Sequence, residues 1–360
     1  MTASPPRLQE ERHALLPATR CEPEALRTAL SEGGAAFLER ILEQDLGALW
    51  HHALQAQGLL ESLPRETVEP LREARMLAAG GYLAQRAALD QVDGLFETEA
   101  IPYVVIKGTH VREHVYPDPA LRAASDIDIL IEPADRRRAA RVLIEAGYTV
   151  HADPANISHE ATFSLGAAHI DLHWHMLRPG RTRVDLTGEL IARRQRVNGL
   201  WGLSDTDTLF LMLTHPAFAK YVCSPNMGLA RVADFLLWIH HRPVDWPAVR
   251  RLLERAGLKT AAWTLLGWFR SLAPADAQAT LDAWLADVRP GRIRAAYLRQ
   301  WLAHDLPSRW LDRPFLIQVG FTLPLHDRPA DVRHALHGLH GLRQAKRNRA
   351  RDLEALLGES

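Results

Sequence analysis

Residues Ser125-Asp126-Ile127-Asp128-Ile129-Leu130-Ile131 set two carboxylates, one residue apart, at the head of an unbroken apolar run. A short β-branched run of this kind reads as a strand. Alternate residues of a strand share a face, so Asp126 and Asp128 are expected to point together while Ile127 and Ile129 enter a core. Two adjacent carboxylates repel, and burying the pair is costly unless a cation neutralises it. Oxygen ligands favour Mg2+ or Mn2+ over zinc, and Mg2+ commonly combines one or two carboxylates with substrate phosphates. The competing reading, a strand end with two solvated aspartates, needs no cation at all.

The surroundings place this strand in a small sheet. Ile101-Pro102-Tyr103-Val104-Val105-Ile106 is a second short strand, expected to end in a glycine turn at Lys107-Gly108. Pro133-Ala134-Asp135 opens a helix to about Ala146, stopped by Gly147, and Tyr148–His151 and Ala161–Trp174 are further strand-like runs. Strands separated by a helix make a small α/β or α+β unit. Before it, Glu24–Glu99 has apolar residues at helical spacing, including Leu38, Ile41, Leu42, Leu46, Leu49 and Trp50. After it, Ser204-Asp205 caps a helix with Leu209, Phe210, Leu213 and Phe218 on its apolar face, and more helices follow. The tail from Pro329 to Ser360 is an Arg- and His-rich amphipathic helix. The expected fold is α+β: an N-terminal helical region over 1–99, a mixed-sheet core over 100–203 and a C-terminal helical domain over 204–360.

A third carboxylate recurs between apolar neighbours in His169-Ile170-Asp171-Leu172-His173-Trp174-His175. Three carboxylates can hold two metals, one activating an attacking oxygen and one stabilising a leaving pyrophosphate oxygen. Asp171 would then help activate the acceptor. His173 and His175 share its face by period-two spacing, available for proton transfer or metal binding. The face formed by His169, Asp171, His173 and His175 offers a rival: imidazole and carboxylate suit zinc or iron, and hence a hydrolase.

Positive and negative side chains balance at 43 each, so nothing draws the chain to long nucleic acid, and a small-molecule or protein partner is expected. Cys21 and Cys223 are too few for a disulfide framework, which fits a reducing cytoplasm. No export signal and no membrane-spanning run is expected.

Taken in order, the glycine turn, the D-x-D strand and the later strand aspartate resemble the DNA polymerase beta-like nucleotidyltransferase superfamily. The chain is closer still to its uncharacterised bacterial nucleotidyltransferase family. That likeness runs through Ile106-Lys107-Gly108, Tyr116-Pro117, Arg122 with Ser125-Asp126-Ile127-Asp128, Gly147-Tyr148 and Ile170-Asp171-Leu172-His173-Trp174. More loosely it reaches His215, Arg231 with Asp234, and Asp245-Trp246, covering roughly Leu38 to Ala273. The resemblance implies a nucleotidyltransferase core flanked by helices, with Mg2+ or Mn2+ held by Asp126, Asp128 and Asp171. It implies a nucleoside triphosphate (NTP) as co-substrate and a small-molecule or protein acceptor. In place of the superfamily's usual glycine-serine turn stands Gly108-Thr109, preceded by Lys107, with a longer gap to Asp126. Lys107, Gly108 and Thr109 would position the phosphates. Arg122 would pair with a triphosphate oxygen or with Asp126, and Ser125 and His173 would complete the pocket. Arg231 and Asp234, three apart on a helical pattern, read as a surface or interdomain ion pair. A non-catalytic nucleotide- or partner-binding module is the alternative outside enzymes.

Overall fold

The structure is a computed structural model describing residues 6–151, 159–219, 228–304 and 314–345. It is α+β, with a seven-stranded mixed sheet between helical regions. The strands are β1 (Tyr103–Val105), β2 (Ile127–Ile131), β3 (Thr149–His151), β4 (Glu160–Leu165), β5 (Ala168–His173), β6 (Gln195–Val197) and β7 (Leu200–Gly202), in the spatial order β3-β4-β5-β2-β1-β7-β6. β2 runs parallel to β5 and antiparallel to β1. The β6–β7 hairpin, absent from the sequence reading, turns on Asn198-Gly199, both at positive φ (48° and 85°), the pair that two-residue hairpins favour.

Alternation along the strands divides the core. Tyr103, Val105, Ile127, Ile129, Ile170 and Leu172 pack on one side with Val92 and Phe96 of the helix Arg65–Thr98 and Leu143 of the helix Arg136–Glu145. Val104, Ile106 and Leu130 face the other way, into a larger cluster that joins the first helices to the last ones. There Trp50 donates to the Ala14 carbonyl at 2.6 Å and Arg12 to the Ala273 carbonyl at 2.9 Å. Asp128 shares the face of Leu130, so the sheet presents its carboxylates toward these helices.

The expected glycine turn after β1 differs in detail. The helix α1 (Lys107–Val115) begins at once, and Lys107, not Gly108, takes the left-handed conformation, with φ 58°. Gly108 serves a different purpose, since a Cβ there would lie 2.8 Å from Nη2 of Arg122. Downstream, Ser204 caps the helix Asp205–Met212 as expected, accepting from the Asp207 N–H. The helix Arg136–Glu145 follows a 3-10 turn at Pro133–Asp135 and leads into Gly147 at φ 94°. Helix Pro329–Ala345 covers the first part of the tail, while the rest, like Cys223, lies outside the described residues.

Candidate functional site

Parallel pairing of β2 with β5 sets Asp128 beside Asp171 and Leu130 beside His173. Side chains at such positions share a face, so one register brings together groups 43 residues apart in sequence. Asp128 Oδ1 accepts from Lys107 Nζ at 2.5 Å and lies 2.8 Å from His173 Nε2. The other ring nitrogen of His173 faces Glu160 Oε2 at 3.0 Å across the β4–β5 pair. Thr162 donates its hydroxyl to Asp171 Oδ1 at 2.6 Å. One ligand atom from each of Asp128, Asp171 and His173 lies within 4.8 Å of the others. Asp126, half-buried, stands one residue before β2.

The charges are unevenly matched. Burial would raise Asp128, but the Lys107 ammonium and the His173 ring outweigh it and hold the carboxyl well below the usual range. Burial also raises Glu160, and the hydrogen bond and charge of His173 override it, bringing the carboxyl down to about 2. His173 itself is pushed down by burial and by Lys107, yet its bonds to Asp128 and Glu160 prevail and leave it above the ordinary imidazole value. Asp126 goes the other way: burial, then repulsion from Asp128 and Asp171, raise it against the pull of Lys107 and a hydrogen bond from Ser125. Four carboxyl groups (Asp126, Asp128, Glu160 and Asp171) thus meet the Lys107 ammonium, the His173 ring and the Arg231 guanidinium, so acidic groups outnumber basic ones. That difference, with oxygen-rich donors, fits a divalent cation such as Mg2+ or Mn2+.

Other expected residues are placed less simply. Thr109 is buried and gives its hydroxyl to the Asp126 carbonyl at 3.1 Å, bracing the D-x-D loop. Ser125 is exposed beside Asp126. Arg122 does not pair with Asp126; it grips Asp234, with Nε 3.0 Å from Oδ1 and Nη2 2.9 Å from Oδ2. Asp234 also accepts from the Tyr116 hydroxyl at 2.9 Å and is buried, so of the surface and interdomain alternatives for its ion pairing the structure shows a buried link between core and C-terminal helices, with Arg122 as the direct partner. His169 is exposed, and His175 turns to Asp185 at 2.5 Å. The four-residue His/Asp face of the hydrolase reading is therefore not assembled.

Three contributors escaped the sequence reading or were given lesser parts in it. Glu160 precedes the strand start assigned there, and only the antiparallel register Glu160↔His173 reveals its position. His215 is held neutral by burial and by the Lys107 and His173 charges. Arg231, lowered by burial and Arg122, feels Asp234, Asp128 and Asp126. The helices that follow the core thus bring a neutral imidazole and a guanidinium to the carboxylates.

The sequence profile of a family described as uncharacterised nucleotidyltransferase matches residues 34–274. No curated protein matches the chain.

Proposed function

The chain belongs to this nucleotidyltransferase family, and on that premise we propose a metal-dependent enzyme of the polymerase beta-like superfamily that moves a nucleoside monophosphate from an NTP to an acceptor. The acceptor is a hydroxyl, amine or phosphate on a small molecule or protein. Its attacking atom bonds to the α-phosphorus, the bond to the bridging oxygen breaks, and pyrophosphate leaves. The observation that carries this reading is the Asp128↔Asp171 register, which gathers carboxylates in excess of the cations beside them.

In this reading Asp126, Asp128 and Asp171 hold Mg2+ or Mn2+. When bound, the metal neutralises charge developing on the phosphate oxygens. Asp171 Oδ1 is engaged by Thr162, so Oδ2 is the atom that takes the acceptor proton. Lys107 and Arg231 supply positive charge for the phosphates, and His173, fixed at both nitrogens, orients Asp128. Gly108 and Thr109 shape the start of α1 and hold the D-x-D loop against it. Region 100–203 is the catalytic unit, with the described helices of the regions before and after it closing the pocket. No described helix is long and apolar enough to cross a membrane, and the proposed setting is the cytoplasm.

The test is incubation with each labelled NTP, Mg2+ and cell extract, followed by mass analysis of what gains a nucleotide. Incorporation that disappears in Asp126→Asn and Asp128→Asn proteins of unchanged circular dichroism is the expected result. Full incorporation by both variants would overturn the reading.

A further inference from the structure

A cleft of about 420 Å³ lies between the first helices and the D-x-D loop. That is within the size range of small-molecule sites. Its walls come from the turn before helix Gly47–Ala56, from one side of helix Arg65–Thr98, and from Ala123 and Ala124. Ala124 precedes Asp126 by two residues, so the wall stands within about 7 Å of chain from the proposed metal ligands. It is also fixed: Gln85 donates to the Ala124 carbonyl at 2.7 Å, and buried Arg112 donates to Gln85 Oε1 at 2.8 Å.

The chemistry of the lining is one-sided. Alanines, glycines, leucines and a proline make the surface, and the ionisable groups on it are Asp45 and Glu73, with no basic side chain. The nearby arginines of the same helix are engaged elsewhere, Arg72 with Glu69 and Arg75 with Asp118. Neither Asp45 nor Glu73 has a hydrogen bond or ion pair from its carboxylate among the described residues. Leu77, on the rim, is 69% exposed. Arg231 acts electrostatically on Asp45 and on Asp126 and Asp128 alike, which ties the cleft to the carboxylate site.

An apolar hollow with two carboxylates that no cation contacts directly, Asp45 being balanced only at longer range by Arg122 and Arg231, disfavours phosphate and favours a cation carried on an apolar body. The geometry points to this cleft as the acceptor subsite, taking a small molecule that carries a protonated amine on a hydrocarbon or aromatic frame. This rests on the nucleotidyl-transfer reading and narrows its acceptor: the phosphate-bearing acceptors left open above are disfavoured here.

The test uses the full chain and two probes of one shape, phenethylamine and uncharged 2-phenylethanol, titrated by calorimetry or ligand-observed NMR. The amine is expected to bind about tenfold more tightly than the alcohol, the scale of two partly exposed charge contacts. Asp45→Asn with Glu73→Gln removes that preference. Both changes are mild, since Glu73 is exposed and asparagine tolerates the φ of 58° at Asp45. Equal binding of the two probes, or a preference that survives in the double variant, overturns the assignment. An amine preference in a protein that transfers no nucleotide upholds the ligand class and counts against the transfer chemistry alone. The Asp126→Asn/Asp128→Asn protein keeps the preference in either case.

Discussion

Replacing Asp234 with asparagine tests the link that ties the central sheet to the C-terminal helices. The pair is buried on both sides, with the Arg122 and Asp234 side chains 12% and 6% exposed. Arg122 Nε lies 3.0 and 3.2 Å from the two carboxylate oxygens, Nη2 lies 2.9 Å from Oδ2, and the Tyr116 hydroxyl donates to Oδ1 at 2.9 Å. Asparagine keeps the shape but only one acceptor oxygen, and its NH2 meets a donor where the other oxygen stood, so packing survives while the charge and the bonds at one oxygen go. Bonds to an ionised acceptor contribute ~1.5–3 kcal/mol and neutral ones ~1 kcal/mol, so weakening the contacts at the retained oxygen and losing those at the other costs ~3 kcal/mol. That agrees with the ~3–5 kcal/mol typical of removing one partner from a buried pair. Urea denaturation followed by tryptophan fluorescence reads it, as a lower midpoint at unchanged slope. Arg122→Met combined with Asp234→Leu should recover much of the loss, because no uncompensated charge is left. A single-variant loss under ~1 kcal/mol, or a double-mutant cycle with no coupling, would refute the reasoning.

Four further outcomes follow from the site. Lys107→Ala frees Asp128 from its internal cation, so Mn2+ titration should show a dissociation constant about tenfold lower, ~1.4 kcal/mol, and unchanged affinity would refute competition for that oxygen. In chelator-containing buffer, Glu160, held at about 2 by burial-opposed contacts with His173, contributes stability above its ordinary 4.5 that is lost as pH falls toward 2. His173, raised above 6.5, contributes below 6.5 and loses that contribution as pH rises through its folded value, so thermal midpoints should peak between about 4.5 and 6.5; a flat profile would contradict the pairing. Gly202→Ala would bring a Cβ within 2.4 Å of the His110 ring, itself fixed 3.0 Å from the Thr208 hydroxyl, and should cost ~1–3 kcal/mol by denaturant midpoint.

What the sequence made legible, and what it hid, divides by range. Period-two alternation placed Asp171 with His173 because a strand's pleat is local, whereas Asp126 falls just before β2, outside the pleat. The cap at Ser204 and the stop at Gly147 were legible for the same reason. Glu160 was hidden because its role depends on an antiparallel register with His173 that no local pattern encodes. Asp234 was half legible: its spacing from Arg231 suggests a surface or interdomain ion pair, but the direct partner, Arg122, lies 112 residues away and no local pattern names it. At Lys107-Gly108 the local rule assigns positive φ to glycine. The structure assigns it to Lys107, while Gly108 is needed for another reason, the close approach of the Arg122 guanidinium. The Asn198-Gly199 hairpin carried its own signal in the sequence.

The backbone at Lys107 also bears on how such a carboxylate cluster can exist. A lysine at φ 58° is disfavoured by roughly 1–2 kcal/mol, and such strain persists only where surrounding contacts over-determine it. Those contacts are the Asp128 oxygen at 2.5 Å and the His173 nitrogen at 3.3 Å, which draw the ammonium back over the sheet from the first residue of α1. A lysine in ordinary helical geometry at that position would start its side chain in another direction. The strain, the glycine that follows and the arginine packed on that glycine therefore form one device for setting a positive charge against Asp128. Any divalent ion bound there must displace or share that charge. In the proposed reaction, the residue that offsets the Asp128 charge is also the cation placed to meet a phosphate.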